Sequence, residues 1–486
     1  MPVDSNKTQT RGSDKTSRRT FLATTAGAGA LTAGCLGLGG NGGGSDEINV
    51  LMYAAAQATA TEEAVIPEFE EETGITVNMD TAPFGDLLSQ SLTTLQGDEA
   101  VYDVIDADMS LLPQFANEGY FEPLDDYVSD SDVLSPENFI PKVWEDAAIY
   151  GPPGNYYDLS GETRINQIPY QTNVLTLYYR TDLYDEAGLE PPETMSEYES
   201  AAEQLTDEND GIHGMGMMAR EHASVFTEWK SEYQANRNAN NEAAGRFFED
   251  EVVDPQSPPL GFSSSWQPVF DNEISRNSLQ NYVDRINASY TPDGVTGWDW
   301  TDMTQNFIQG NLATAHAFST TARTANDESR SQVAGDVGYA PYPGVEVDGE
   351  VARAPHYGSW CLAIPANSDK KDAAWDFIEF QHREEIALER ARVGAQPSRE
   401  DVYETLSQSE EVFPGSQQFF EAMLEGFRVG VGRPKIVGYL EWREMMAEEL
   451  NAAAIGNQNP STTLEQAQDR TTEILSRQMS GHGIYE

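Results

Sequence analysis

Basic residues are scarce in this sequence. Lys and Arg together number 29 against 81 Asp and Glu in 486 residues, which gives a formal charge of -52. Binding to nucleic acid phosphates requires clustered basic side chains, so this balance argues against a nucleic acid partner. It also disfavours docking of the protein surface on an anionic membrane. Because 39% of the residues are hydrophobic, the chain is nevertheless too apolar to be disordered as a whole.

Lysine is the scarcer of the two basic residues, with seven in the whole chain. The acidic residues are spread along the sequence and do not form one tail. This composition resembles that of proteins from extreme halophiles, in which salt screens the repulsion between carboxylates. An ordinary acidic protein and a calcium-loaded secreted protein are the alternatives, although the sequence contains no D-x-[DN]-x-[DN]-G calcium loop.

The charge predicts a dependence of the fold on salt. We expect the fold to loosen when NaCl is lowered below about 1 M, because the screening length then grows beyond about 3 Å and the carboxylates repel one another. Circular dichroism at decreasing salt measures this loosening. A spectrum that stays unchanged in dilute buffer would contradict the halophilic interpretation.

Cysteine is almost absent. The chain contains only Cys35 and Cys361, which argues against a disulfide framework. If Cys35 belongs to an export signal, Cys361 has no partner, and we expect it to be a buried free thiol.

Long hydrophobic runs are also missing. The apolar stretch 23–34 is too short and too rich in glycine for a stable membrane-spanning helix. It follows the pair Arg18-Arg19, and this order resembles a twin-arginine export signal. The stretch leads into Thr32-Ala33-Gly34-Cys35, which resembles a lipobox.

The N-terminal residues are therefore expected to direct export and to attach the protein to the membrane. We expect residues 1–34 to be a signal peptide and the thiol of Cys35 to carry a lipid. Residues 35–45 are rich in glycine and predict a flexible tether. The protein would then stand on the extracellular face of the cell membrane.

Strand and helix patterns alternate from residue 48 onwards. Buried strands are predicted at 48–53, 75–79 and 102–106 from their apolar residues. Helices are predicted at 61–73, 84–96 and 111–117, the first of them kinked by Pro67 and capped by Gly74. This βαβαβ order predicts an α/β fold with a mostly parallel sheet.

Several segments resemble the extracellular solute-binding proteins of ABC transporters, in the group similar to maltose-binding protein. The most specific segment reads PYQTNVLTLYYRTDLYDEAGL at 169–189. Further matching segments follow in the same order along the chain: FIQGNLAT at 307–314, VGYAPYPG at 337–344, GSWCLAIPANSDKKDAAWDFIEFQ at 358–381 and GAQPS at 394–398.

The resemblance implies a two-lobe periplasmic-binding-protein-like fold of type II. The chain would cross between the lobes three times, near 171–172, 357–358 and 396–397. Lobe one would comprise 46–171 with 359–396, and lobe two 172–358 with 397–486. Such a monomer would use no cofactor, close on a sugar or polyol by a hinge, and deliver it to ABC permease subunits.

Candidate ligand-binding residues follow from the chemistry of sugar recognition. Aromatic rings stack on C–H faces, while carboxylate and amide side chains bind hydroxyls. Loops after the carboxyl ends of parallel strands face the cleft. Most of the candidates of these residue types follow the predicted strands, lie at the crossings that the resemblance implies, or belong to a tryptophan-rich turn. The candidates are Tyr53, Gln57, Phe84, Asp106, Asp108, Gln171, Asn173, Trp229, Trp298, Phe318, Tyr357, Trp360 and Gln396. Phe318 stands where many sugar binders of this family have a stacking tryptophan.

Structural alternatives remain open for several of these residues. Tyr53 and Phe84 are equally interpreted as core residues, and Asp108 as the N-cap of the helix at 111. Trp298 and Trp300 form either a stacking platform or a surface cluster.

Other functions also remain open at this point. A secreted glycoside hydrolase would need two carboxylates such as Asp106 and Asp108, one with a raised pKa. The same fold could instead bind a metal complex, although the six histidines form no H-x-H or H-x-x-x-H pair, so we predict no metal site. An adhesin would not explain the ordered motifs.

Asn287 begins a glycosylation sequon.

Overall fold

The computed structural model describes residues 47–151, 163–206, 211–221, 223–243, 268–408 and 412–478. The predicted signal peptide, the lipidated Cys35 and the glycine-rich tether lie outside these residues. No helix within the described ranges has the length and apolar character needed to cross a membrane.

The strands confirm an α/β fold built around a mixed sheet. Seven of the described strands form one sheet in the order β2-β1-β3-β11-β6-β7, and β8 also pairs with β6. The strands are β1 (Glu47–Tyr53), β2 (Thr76–Ala82), β3 (Val104–Asp108), β4 (Ile149–Tyr150), β5 (Arg164–Ile165), β6 (Ile168–Arg180), β7 (Thr314–Phe318), β8 (Val337–Pro341), β9 (Val345–Val347), β10 (Glu350–Ala352) and β11 (Tyr357–Ala363).

Helices connect the strands and cover the sheet. The helices are α1 (Ala56–Ala64), α2 (Ile66–Thr73), α3 (Phe84–Leu95), α4 (Leu112–Asn117), α5 (Asp125–Asp130), α6 (Pro141–Ala148), α7 (Thr181–Ala187), α8 (Met195–Leu205), α9 (Ala223–Ala243), α10 (Glu273–Ile286), α11 (Trp300–Ile308), α12 (Ala322–Ala325), α13 (Lys371–Gln381), α14 (Glu384–Arg392), α15 (Glu400–Leu406), α16 (Ser416–Val429), α17 (Tyr439–Ala454) and α18 (Pro460–Gln478).

The first three strands are parallel, as the βαβαβ order predicts, but the prediction of a mostly parallel sheet is wrong, because the pairs β3–β11, β11–β6, β6–β7 and β6–β8 are antiparallel. β1 lies between β2 and β3 and runs parallel to both. Buried apolar residues of β1, such as Val50 and Leu51, are fully excluded from solvent. The carboxyl ends of these strands consequently meet at one edge of the sheet, which is where ligands bind in open α/β sheets.

The prediction of a single kinked helix at 61–73 is wrong. The structure has α1 and α2, separated at Val65, which is fully buried. Pro67 lies in the first turn of α2, where its missing N–H leaves no intrahelical hydrogen bond unmade. The predicted cap is confirmed, because Gly74 ends α2 with a φ of 73°.

The long strand β6 belongs to two parts of the sheet. Its first half pairs with β11, where Gln171 lies opposite Trp360. Its second half pairs with β7 and β8, and Tyr178 lies opposite both Ala315 and Tyr339. A single strand therefore carries the chain from one set of strands to the other.

The apolar core is divided in a similar way. One buried cluster contains Ile48, Phe377 and other residues from 48–170 and 362–386. Another contains Trp229, Trp442 and other residues from 177–354 and 431–475. Cys361 is buried as a free cysteine, as predicted, in a cluster that draws on both parts of the chain.

Candidate functional site

Three aromatic side chains meet at the carboxyl edge of the parallel strands. Tyr53 ends β1, Phe84 begins α3 directly after β2, and Trp360 lies in β11. The rings of Tyr53 and Trp360 are stacked, with centroids 4.5 Å apart and planes at 8°. Phe84 meets the Trp360 ring edge-on at 6.0 Å. These three half-buried residues, called the aromatic shelf below, keep part of their ring surface exposed.

Asp106 lies beside this shelf at the end of β3. One of its carboxylate oxygens accepts hydrogen bonds from the Tyr170 hydroxyl at 2.7 Å and from the Tyr53 backbone N–H at 3.1 Å. The other oxygen has no hydrogen-bond partner among the described residues. Burial raises the pKa of this carboxyl to about 7, against the opposing effect of the Tyr170 and Tyr53 hydrogen bonds.

Asp108 follows on the same face of β3 and is held differently. Its carboxylate accepts hydrogen bonds from the backbone N–H and the hydroxyl of Ser110, at 2.9 and 2.5 Å. It also forms an ion pair with Arg433. Burial acts to raise the pKa of Asp108, but the charge of Arg433 and the Ser110 hydrogen bonds outweigh it, so the pKa is lowered. The predicted capping role is present, because Asp108 caps the turn Met109–Leu111.

Two of the predicted site residues are buried amides, Gln57 and Gln171. Gln57, in α1, lies beside Asp106, and a hydrogen bond from its side-chain amide acts to lower the pKa of that carboxyl. Gln171, next to Tyr170, accepts from the Gln396 backbone N–H at 2.7 Å through Oε1, while its Nε2 lacks a partner in the described part of the chain. Gln57 therefore contacts the Asp106 carboxyl, whereas Gln171 contacts Gln396.

Hydrogen bonds tie the three predicted crossings together. The Thr172 N–H donates to the Gln396 carbonyl at 2.8 Å. The Thr172 hydroxyl lies 3.0 Å from the Ser359 hydroxyl and 2.5 Å from that of Ser398. The Ser319 hydroxyl donates to Oε1 of Gln396 at 3.3 Å, which links β7 to the same point.

Phe318 forms a second aromatic group next to Ser319. Its ring meets Trp300 edge-on at 5.9 Å and His356 at 5.9 Å. Trp300 is 36% exposed, so this group also offers an apolar surface. Trp298 is half-buried, and its carbonyl accepts from the Arg220 N–H at 3.0 Å. No aromatic contact among the described residues joins Phe318 or Trp298 to the aromatic shelf.

Three other candidates lie outside these surfaces or at their margin. Trp229 is fully buried in the core, where its ring stacks on Tyr233 at 5.3 Å. Tyr357 is also fully buried, and its hydroxyl donates to the Asp146 carboxylate. Asn173 is half-buried in β6, opposite Gly358. The structure brings neither Trp229 nor Tyr357 to the aromatic shelf.

Two residues near the site were missed by sequence reasoning. Tyr170 was read only as part of a motif, yet its hydroxyl holds Asp106. Arg433 is 325 residues from Asp108 along the chain, so no local pattern connects them. A usable signal was the segment Gly432-Arg433-Pro434 between two helices, in a chain with few basic residues.

The remaining sequence predictions concern metals and modification. Within the described residues, no group of three or more His, Cys, Asp or Glu side chains is placed to hold a metal ion. Asn287, which begins the glycosylation sequon, is exposed at the end of α10.

Residues 54–386 match the family described as bacterial extracellular solute-binding protein. This stretch covers more than half of the chain, and the chain therefore belongs to that family of binding proteins. The membership confirms the predicted family and places the protein in an extracellular solute-binding role.

Individual relatives are more distant. The chain is similar to the mannitol-binding protein of Pseudomonas aeruginosa, with 24% identity over 299 residues, which are 60% of this chain and 59% of that protein. A ribitol-bound solute-binding protein of Agrobacterium radiobacter matches with a TM-score of 0.69 and 23% identity over 88% of this chain and 98% of its own. A maltose-bound protein of T. maritima matches with a TM-score of 0.71 and 21% identity over 88% and 100%. These likenesses confirm the two-lobe fold.

Proposed function

We propose that the protein captures a sugar or polyol outside the cell and delivers it to an ABC permease. The observation that carries this proposal is the aromatic shelf beside the buried Asp106 carboxyl, one oxygen of which has no hydrogen-bond partner among the described residues. Relatives named for mannitol and for erythritol or threitol, and similar proteins with bound ribitol and maltose, support this ligand class.

The shelf and the polar atoms suit different parts of such a ligand. The exposed face of Trp360 would pack against the C–H groups of a sugar ring or polyol chain. The free oxygen of Asp106 would accept a hydroxyl hydrogen, and the Gln57 amide beside this carboxyl would reorient to donate to a hydroxyl oxygen. A buried polar atom without a partner costs roughly 1–3 kcal/mol, so these bonds would form preferentially with a hydroxyl-rich ligand.

We also propose that the lobes divide as 46–171 with 359–396 and 172–358 with 397–486. The two separate core clusters support this division, since each draws its residues from one of these sets. The hydrogen bonds that join Thr172, Ser359 and Gln396 support crossings at these three points. Closure by rotation at this hinge would bring Phe318 over a ligand held on the shelf.

The test of this function is a thermal-shift panel with the full chain in high salt. The panel contains monosaccharides, oligosaccharides, polyols, amino acids and metal chelates. A ligand at 100 times its Kd should add about 2.7 kcal/mol to stability. A clear shift with sugars or polyols alone is the expected result, and shifts only with amino acids or chelates would overturn the proposal.

A glycoside hydrolase remains the second candidate, for one reason. The pKa of Asp106 is raised and that of Asp108 is lowered, and such a separation is typical of an acid paired with a base. The engagement of Asp108 with Arg433 and Ser110 leaves it poorly placed to act on a substrate. Release of product from an aryl glycoside would favour the hydrolase, and binding without turnover favours transport.

We further propose that Cys35 carries a lipid anchor after twin-arginine export. The Cys35→Ser variant is expected to appear in the culture medium, because lipidation requires the thiol. Immunoblotting of membrane and medium fractions measures this distribution. The variant Cys361→Ser is the matched control and should stay with the membrane. Membrane association of Cys35→Ser would contradict the anchor.

A further inference from the structure

Residues 431–440, called the strap below, run from just after α16 into the first turn of α17 and contact both parts of the chain. On one side the Val431 N–H donates to the Pro355 carbonyl at 2.9 Å, and the Tyr357 N–H donates to the Val431 carbonyl at 3.1 Å. The buried Lys230 amine donates to the Gly432 carbonyl at 2.6 Å. The backbone that precedes Arg433 is therefore hydrogen-bonded to the second proposed lobe (172–358 with 397–486).

On its other side the strap contacts residues of the first proposed lobe (46–171 with 359–396). Arg433 pairs with Asp108 after β3. The Lys435 amine donates to the carbonyls of Glu145 and Ile149, at 2.5 and 3.1 Å. Leu440 packs against the cluster that contains Ile105 and Leu111. The strap consequently bridges the two proposed lobes through charged, polar and apolar contacts.

The strap is fitted closely to its neighbours at a glycine. A β-carbon added at Gly432 would lie 2.6 Å from a carboxylate oxygen of Asp146 and 2.9 Å from the Tyr357 hydroxyl. A contact below 3.0 Å requires the neighbouring atoms to shift, so a side chain at this position would displace the Asp146 carboxylate or the Tyr357 hydroxyl. The strap backbone therefore lies close to Asp146 of the first proposed lobe and to Tyr357 of the second.

Arg433 lies directly beside the aromatic shelf. Gly358 and Trp360 are two residues apart in β11 and so point to the same face of the sheet. A β-carbon at Gly358 would lie 3.1 Å from a guanidinium nitrogen of Arg433, and Asp108 is the register partner of Trp360. The guanidinium therefore covers the sheet face next to Trp360.

We propose that the strap closes one end of the ligand cleft, with Arg433 as the specificity-determining residue that limits the ligand to one sugar ring or an acyclic polyol. A longer saccharide that lay on Trp360 and continued along β11 over Gly358 would meet the Arg433 side chain and its ion pair with Asp108. This inference rests on the proposed sugar or polyol binding.

The test is isothermal titration of the full chain in high salt with ligands of increasing length. The series contains glucose, mannitol and ribitol as short ligands, and maltose, maltotriose and cellotriose as long ones. We expect the best short ligand to bind about 10-fold or more tightly than either trisaccharide. In the Arg433→Ala variant the ratio of short-ligand affinity to trisaccharide affinity should fall to about 3-fold or less, because the end of the cleft is then open.

The controls separate this inference from the proposed function. Arg428→Ala removes another arginine of the same part of the chain, in an exposed pair with Glu400, and should leave the ratio unchanged. A trisaccharide that binds as tightly as the best short ligand to the unaltered protein would overturn the length limit and leave sugar binding standing. An unchanged ratio in Arg433→Ala would overturn the role of Arg433. Failure of every sugar and polyol to bind would overturn the proposed function itself.

Discussion

The Trp360→Ala variant is expected to bind the cognate sugar or polyol about 30-fold more weakly than the unaltered protein. The half-buried indole is the centre of the aromatic shelf, since it stacks on Tyr53 and meets Phe84 edge-on. Loss of a central aromatic residue from a binding site typically costs about 2 kcal/mol or more, which corresponds to this factor. Isothermal titration with the ligand that gives the largest thermal shift measures the change.

A matched control separates lost binding from lost stability. Tyr127 is also half-buried, and its ring packs on Trp375 at 5.2 Å, away from the shelf. Tyr127→Ala should lower the melting temperature with little change in affinity, whereas Trp360→Phe should retain part of the affinity because it keeps a ring. Equal affinity of Trp360→Ala and the unaltered protein would remove the shelf from the site.

The Asp106→Asn variant is expected to change how stability depends on pH. Burial raises the pKa of Asp106 to about 7 in the folded protein, against an ordinary value of 3.8 for an exposed aspartate. Between these two values the folded state holds a proton that the unfolded state has lost, so stability falls as pH rises through this window. The difference between the folded and unfolded pKa values corresponds to a loss of about 4 kcal/mol of folding stability above pH 7. Asparagine cannot ionise, and its carbonyl oxygen can still accept from Tyr170 and Tyr53.

Denaturant unfolding at constant high salt between pH 4 and 8 measures this effect. We expect Asp106→Asn to gain stability relative to the unaltered protein as pH rises across that range. Asp108→Asn provides a control of opposite sign. The lowered pKa of Asp108 means that its charge stabilises the fold at neutral pH, and that this contribution is lost on acidification. Parallel stability curves for Asp106→Asn and the unaltered protein would show that Asp106 does not titrate as described.

The order of the first strands and helices could be predicted because each element carries its own pattern. Apolar runs placed β1 and β2 close to their observed positions, and a glycine with a positive φ marked the end of α2. The break between α1 and α2 was mispredicted. A proline in a helical pattern can either kink one long helix or lie in the first turn of a second helix. In the structure Pro67 lies in the first turn of α2, and the buried Val65 separates α2 from α1.

The candidate site was predictable where strand ends dictate it. Tyr53, Phe84 and Asp106 all follow from the rule that ligands bind at the carboxyl edge of parallel strands, and the structure brings them together. Trp229 shows the limit of that reasoning. It lies in a helix whose neighbouring aromatic residues bury it completely, and sequence alone does not distinguish a core tryptophan from an exposed one.

The partners of the site residues could not be predicted, because they are distant in sequence. Arg433 reaches Asp108 only after α16 and the strap have been placed against the sheet. The opposite pKa directions of Asp106 and Asp108 also depend on such partners, since both carboxyls are buried at the end of the same strand. Tertiary packing therefore decides which of two similar carboxylates is charged.

The most direct measurement of the central claim is a crystal structure of the protein with the sugar or polyol that gives the largest thermal shift. The predicted result is a ligand lying on the exposed face of Trp360, with a hydroxyl donating to Asp106 and the Gln57 amide donating to the ligand. A ligand bound elsewhere, without contact to Trp360 or Asp106, would contradict the assignment of this site.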